Sequence, residues 1–260
     1  MLNKYQLNQL IFFSSFITLV VFYSLVLIGQ IGTFLFPLFI IPIAFVIHYQ
    51  YNAVHIASHM QMGKNSQYNN FIGHLASILS GATFAGFSTN HILHHKNPND
   101  TDNDPDYQIA AKTPLFLIAF KIWYHDFSFF NKQLHLINKN YIGYALTRII
   151  QISLILGIIL SGNLSNFLFF WVLPVWLVGT LNGLFLFYFP HYTTPRVEVW
   201  KKLVNPNWFQ KLSLVLIQIS LFYHTKHHEK INGNRNYYPI FSYLSDSFAT
   251  KKLLFIKSNV

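Results

Sequence analysis

Eight of the 13 histidines in this chain fall into three short clusters. Within each cluster the histidines are adjacent or lie three or four residues apart, and on a helix such spacing brings the imidazole rings to one side. Neutral imidazole is the commonest metal ligand in proteins, so the pattern predicts a metal site. The clusters are His55 and His59; His91, His94 and His95; and His224, His227 and His228.

The number of histidines predicts more than one ion. Eight imidazoles exceed the three or four that one tetrahedral zinc ion binds, which favours two ions with open coordination positions. The chain has no cysteine, so His, Asp or Glu must bind them. His191 follows the last apolar stretch and is predicted to be a ninth ligand. For His48, His125 and His135 the spacing predicts only packed or hydrogen-bonded side chains.

Four of the eight acidic residues lie in the run from Asp100 to Asp106, just after the second cluster. Two interpretations are open for this run. It is a solvated turn, which its prolines favour, or it supplies carboxylates that orient His94 or His95 through ring N–H bonds. In the second interpretation Asp104 and Asp106 are the participants.

The composition is that of a membrane protein. Hydrophobic residues make up 52% of the chain and charged residues only 10%, whereas roughly a quarter is usual in soluble domains. The formal charge of +10 comes from dispersed residues without a nucleic-acid-binding motif. An anionic membrane surface is therefore the expected partner, and nucleic acid is not.

Four apolar stretches are long enough for the ~17–25 residues of a membrane crossing. The links within the first and second pairs contain no charged residue, so all 18 Lys and Arg lie on the other side. Because positive residues favour the cytoplasm, both termini and the histidine clusters are predicted to be cytoplasmic. A further apolar run, residues 71–87, is interrupted by glycines and predicts an interfacial or re-entrant helix. The spans cover about residues 9–28, 31–47, 146–162 and 167–189.

These features predict an all-α integral membrane protein with a single domain, residues 1–260. Four transmembrane helices form two hairpins, and a cytoplasmic helical cap holds the histidine-rich dimetal site. The cap is predicted to comprise about residues 51–145 and 190–260. An even number of crossings separates these two regions, so their histidines can meet on one side of the membrane.

The order HxxxH, HxxHH, HxxHH, in a chain with two membrane hairpins, resembles the membrane fatty-acid desaturase superfamily. Residues around the clusters are most similar to the carotenoid β-ring hydroxylase and ketolase branch, in residues 102–107, 123–130 and 188–191. His74, which follows a glycine, also resembles a recurrent feature of that branch. By this resemblance the eight clustered histidines and His191 bind two iron ions, and His74 supports the site without binding metal.

The resemblance implies an O2-dependent oxidoreductase that desaturates or hydroxylates lipids. The favoured reaction is hydroxylation or ketone formation on the β-ring of a carotenoid, and the alternative is desaturation or hydroxylation of a fatty-acyl chain. The expected partners are an apolar lipid substrate and an external electron donor such as a ferredoxin or a cytochrome, since the chain has no dinucleotide motif or cluster-binding cysteine. Lys201, Lys202 and Lys211 could dock an acidic donor, or equally anchor the chain to the membrane.

A non-catalytic membrane protein that binds or transports metal is a remote alternative. Transport requires polar residues along a path through the membrane. The predicted spans carry only scattered Ser, Thr, Asn and Gln, with Arg148 near a helix end. The sequence therefore favours an enzyme.

Overall fold

The computed structural model describes residues 4–110, 113–121 and 141–188. Within these ranges the chain forms helices and no β-strand. His125, His135, His191, His224, His227 and His228 lie outside the described residues, as do the three lysines of the predicted donor surface and residues 123–130. The helices are α1 (Lys4–Leu27), α2 (Phe36–Ser58), α3 (Ser66–Ser80), α4 (Phe84–Lys96), α5 (Pro105–Ala110), α6 (Tyr141–Leu160) and α7 (residues 164–188, with π-helical turns Leu168–Val172 and Gly183–Tyr188).

Four helical segments of the described chain are long and apolar enough to cross a membrane. They correspond in number and order to the four predicted spans, so the prediction of an all-α, multi-pass membrane protein is confirmed at this level. The largest difference is at the second span, which continues 11 residues beyond its predicted end at residue 47. The segments are Tyr5–Leu27, Thr33–Ser58, Tyr141–Leu160 and Leu164–Asn182.

Helix α2 is the central helix and packs against α1, α3, α4 and α7. Polar residues follow residue 47, which is why the hydropathy pattern predicts an end there. In the structure Gln50 and Asn52 are buried, and their amides bond to Ser15 Oγ at 2.6 Å and to His48 Nε2 at 3.0 Å. Because protein groups accept bonds from the NH2 groups of both amides, these polar residues remain within the helix, and α2 continues to Ser58 and carries the first histidine cluster.

Helices α3 and α4 meet at a bend of 108° and together have the composition of a broken span or a re-entrant loop. The chain turns at Gly81, whose φ of +75° lies in the left-handed region that glycine adopts without steric strain. Gly73 and Gly86 lie inside the helices. At Gly73 a Cβ atom would collide with the Phe84 ring, so this glycine allows α4 to pack closely on α3. The bend directs α4, with the second histidine cluster, towards α2.

Candidate metal site

Four histidines from two helices converge through their Nε2 atoms. His55 and His59 lie at the end of α2, and His91 and His95 lie one turn apart on α4. The Nε2 atom of His91 is 2.9 Å from that of His55, 2.8 Å from that of His59 and 3.0 Å from that of His95. The Nε2 atoms of His55 and His59 are 3.2 Å apart. All four residues are at most 9% exposed.

The triangle of Nε2 atoms on His55, His59 and His91 fits a cation better than a hydrogen-bond network. In three pairwise contacts between neutral imidazoles, at least one pair must place proton against proton or lone pair against lone pair. A cation at the centre attracts all three lone pairs. Two nitrogen atoms that are each bonded to a metal ion at about 2.1 Å, with about 90° between the two bonds, lie about 3 Å apart. This distance matches the observed spacing of the Nε2 atoms. These three histidines could therefore hold a metal ion.

His94 lies beside this cluster and contacts two buried carboxylates. Its Nδ1 is 2.8 Å from Asp104 Oδ1, and its Nε2 is 3.7 Å from Asp106 Oδ2. His94 and Asp104 are 0% exposed and Asp106 is 2% exposed. An Nδ1–H that donates to a carboxylate leaves the Nε2 lone pair available to a metal. His94, Asp104 and Asp106 form a second group that could hold an ion.

The acidic run divides into an exposed part and a buried part. Asp100 and Asp102 are outside the core, and Asp100 Oδ1 accepts backbone N–H bonds from Asp102 and Asn103 at 2.9 Å, as in a solvated turn. These bonds hold the pKa of Asp100 below its usual value. Burial raises the pKa of Asp106 to about 7, His94 opposes that rise, and Asp104 adds to it. Asp100 and Asp102 thus lie in an exposed turn, whereas Asp104 and Asp106 are buried beside His94, and of these two only Asp104 is within hydrogen-bond distance of its ring.

Side-chain amides from two other helices fix the loop that follows His59. Asn8 Nδ2 on α1 donates to Gln61 O at 2.9 Å, and Gln9 Nε2 donates to Met62 O at 2.7 Å. Asn69 on α3 accepts from Met62 N at 2.8 Å and donates to the Gly63 carbonyl at 2.8 Å. These bonds join α1 and α3 to the end of α2, and so they fix the position of the first histidine cluster.

An aromatic side chain and an apolar cavity border the cluster. Phe87 stacks on His91 with ring centroids 5.3 Å apart and also contacts His55 edge to face. A cavity of about 140 Å³ lies beside His91 and reaches α6 and α7. Most of its wall is apolar, and its polar lining includes Asn90 and Arg148. This cavity could receive part of a lipid chain next to the histidines.

The remaining histidines of the described chain occupy packing positions. His74 Nδ1 bonds to Thr147 Oγ1 at 2.9 Å, and its ring contacts Phe84, so it lies between α3 and α6. His48 bonds to Asn52, as the spacing predicts. The bond from His74 to Thr147 fixes α6 against α3.

Sequence reasoning did not identify Phe87 or Asn90, and it placed Arg148 near a helix end. Phe87 and Asn90 are ordinary residues of an apolar segment, and only their neighbours in space relate them to the histidines. Arg148 lies within α6, where it lines the cavity and bonds to Gln151 Oε1 at 2.9 Å. A charged residue in an otherwise apolar span was the sequence feature that could have identified Arg148 as part of the site.

The chain matches the model of the family described as fatty acid desaturase over residues 31–239, which is most of its length. Two curated sequences from Kluyveromyces lactis, both named Delta 8-(E)-sphingolipid desaturase, are 35% identical to it over 83 residues. The aligned region is 30% of this chain and spans only 14% of the length of those relatives. No solved structure matches the chain significantly.

Proposed function

The chain belongs to the fatty acid desaturase family, and from this membership we propose that it is a membrane oxidoreductase that uses O2 and two iron ions to oxidise a lipid. The convergence of the His55, His59 and His91 Nε2 atoms carries the proposal, because their arrangement fits a cation. The proposed ligands are the eight histidines of the three clusters together with His191.

The side chains of the site have three roles: they would bind the metal, they orient its ligands and they exclude water. Bound iron would supply the activation of O2 and the removal of hydrogen from an unactivated C–H bond, which side chains alone lack. His55, His59 and His91 present Nε2 atoms to a common point, and the Nε2 atom of His95 lies 3.0 Å from that of His91. Asp104 accepts a hydrogen bond from the Nδ1–H of His94 and thereby fixes its tautomer and ring plane. The Phe87 ring covers His91 and His55 and keeps water from that side.

The substrate we propose first is a lipid with a long acyl or sphingoid chain. The family match and the sphingolipid desaturase relatives support this class, whereas neither supports the carotenoid branch that the sequence favoured. Hydroxylation or ketone formation on a carotenoid ring is the second candidate, because residues 102–107 and their neighbours resemble that branch. The cavity beside His91 is lined mainly by apolar groups, which suits either class.

We also propose that the metal site and both termini face the cytoplasm and that an external ferredoxin or cytochrome supplies electrons. The cytoplasmic position of the metal site and termini is supported by the absence of Lys and Arg from the links at residues 28–32 and 161–163. The need for a donor is supported by the absence of cysteine and of a dinucleotide-binding motif from the whole sequence.

The test is mass analysis of lipids and pigments from a bacterial host that makes β-carotene, is fed a sphingoid lipid, and expresses the chain with a reductase and ferredoxin. We expect acyl or sphingoid lipids that have lost two hydrogens or gained one oxygen. His91→Ala should give neither product, whereas the exposed neighbour variant Ile92→Ala should retain turnover. Oxygenated carotene in place of modified lipid would support the second candidate. No product with confirmed membrane insertion, iron loading and donor reduction would overturn the function.

A further inference from the structure

Asn90 is a buried amide with an unsatisfied oxygen beside the histidine cluster. It directly precedes His91 on α4 and is 5% exposed. Its Oδ1 is buried and has no hydrogen-bond partner in the described part of the chain. An unsatisfied buried group of this kind costs roughly 1–3 kcal/mol, so its persistence needs an explanation such as a bound ligand. The cavity in which Asn90 lies indicates the chemical class of ligand that could bond to it.

The cavity beside His91 is lined by Asn90 as well as by the histidine itself. Phe87, Val175 and Val178 contribute apolar walls, whereas the Asp106 carboxylate and the Arg148 guanidinium are charged groups at the same cavity. A purely hydrocarbon ligand in this space would leave the Asn90 amide unsatisfied and would set apolar atoms against a charge. A ligand with a polar group among its apolar atoms would avoid both costs.

We propose that Asn90 is a specificity-determining residue that binds a hydroxyl or amide group of the lipid substrate. This inference rests on the proposed function, since the lipid in the cavity is the one oxidised. Hydroxyl and amide groups both donate and accept hydrogen bonds, so either can satisfy the Asn90 amide. Because Asn90 and His91 line the same small cavity, a polar group bound at Asn90 would lie near the part of the lipid that faces the histidines. The substrate class is therefore a long-chain lipid with a hydroxyl or amide near the oxidised C–H bond, as in N-acylated amino alcohols.

The first experiment measures binding without turnover. Purified protein in detergent is titrated with octadecane, octadecan-1-ol and octadecanamide, and affinity is obtained from the shift in thermal unfolding midpoint. We expect the wild type to bind the alcohol and the amide about 10-fold more tightly than the hydrocarbon, as one well-formed hydrogen bond predicts. Asn90→Leu should lose this preference without losing stability, since it removes an unsatisfied polar group.

Asn70→Leu is the matched control, because it makes the same chemical change in a half-buried residue of α3 that lines neither this cavity nor the larger apolar one bordered by α1, α6 and α7. It should retain the preference, and comparison between variants cancels the partition of each ligand into detergent. Asn90→Ala should behave as Asn90→Leu, which keeps the test valid if the larger side chain prevents folding. A wild type without preference, or an equal preference in both Asn90 variants, would overturn the inference.

The outcomes for the inference and for the proposed function are distinct. Lipid oxidation in the expression host, together with no binding preference in the titration, would leave the function standing and remove the role of Asn90. A binding preference that Asn90→Leu abolishes, without any oxidised product, would retain the polar binding position and overturn the oxidoreductase.

Discussion

Asp104 is the residue that most restricts the orientation of a histidine in the site. Its carboxylate accepts bonds from His94 Nδ1 at 2.8 Å, from Asn99 N at 2.7 Å and from Asp106 N at 2.9 Å. The two backbone bonds fix the carboxylate, and the carboxylate in turn fixes the imidazole. Asp102, two residues away, is exposed, so the same substitution at Asp102 serves as a control for a substitution at Asp104.

Asp104→Asn should weaken metal binding, because the neutral amide no longer stabilises His94 in the orientation that presents Nε2. Loss of such a partner typically lowers metal affinity about 10-fold to 100-fold. Asp102→Asn should leave metal content unchanged. The measurement is iron per protein after purification of both variants and after dialysis against a graded chelator. Equal iron retention in the two variants would show that Asp104 does not support a metal ligand.

The sequence predicted that the histidine clusters form one site, but not the helix packing that brings the first two together. Spacing of three and four residues places His55 with His59 and His91 with His95 on their helix faces, and the structure has both pairs in contact. The two pairs meet because of the bend between α3 and α4; the glycines of residues 71–87 indicated an interrupted run but not the angle of the bend. No sequence feature identified Asn90, since burial of its side-chain oxygen without a hydrogen-bond partner follows only from the packing of the folded chain.

Among the helices, α6 supplies the polar groups that stabilise the bend between α3 and α4. Gln151 Nε2 donates to the Ser77 and Ala82 carbonyls at 2.9 and 3.0 Å, and Gln151 Oε1 accepts from Arg148 Nη1. Both carbonyls flank the break at Gly81, where the helical hydrogen bonds end. Carbonyls freed at membrane depth must be satisfied by protein or water, and Gln151 satisfies two of them.

Gln151→Leu should destabilise the protein, because it leaves the Ser77 and Ala82 carbonyls without these donors and removes an acceptor of Arg148. The expected loss is about 1–3 kcal/mol in the free energy of unfolding. Ser153→Leu is the control, since Ser153 is exposed on the same helix. The measurement is the midpoint of thermal unfolding in detergent. A midpoint equal to that of the control would mean that other groups satisfy the bend.

At the level of helices, hydropathy predicted the spans better than it predicted their ends. Composition sets whether a segment can cross a membrane, but buried side chains decide where the helix stops. The second span was predicted to end at residue 47, and α2 continues to Ser58 because Gln50 and Asn52 bond within the protein. The glycine-interrupted run 71–87 breaks only at Gly81, the one of its three glycines with positive φ.

Charge distribution over the whole molecule predicts which side of the membrane holds the metal site. All 18 Lys and Arg lie outside the two links that follow α1 and α6. The membrane potential and anionic lipids favour positive residues on the cytoplasmic face. Four crossings would return the chain to that face after α7, so the second and third histidine clusters would share a compartment.

The chain has no cysteine, so single cysteines can report the side of each segment without a background signal. Asn163→Cys lies in the link between α6 and α7, and Asp102→Cys lies in the exposed turn after the second histidine cluster. We expect a membrane-impermeant maleimide to label Asn163→Cys in intact bacterial cells and Asp102→Cys only after the inner membrane is permeabilised. Labelling of Asp102→Cys in intact cells would place the metal site outside, where a cytoplasmic donor could not reach it. Labelling of both cysteines from one side would instead contradict the number of crossings, since a single span of α6 separates the link from the site.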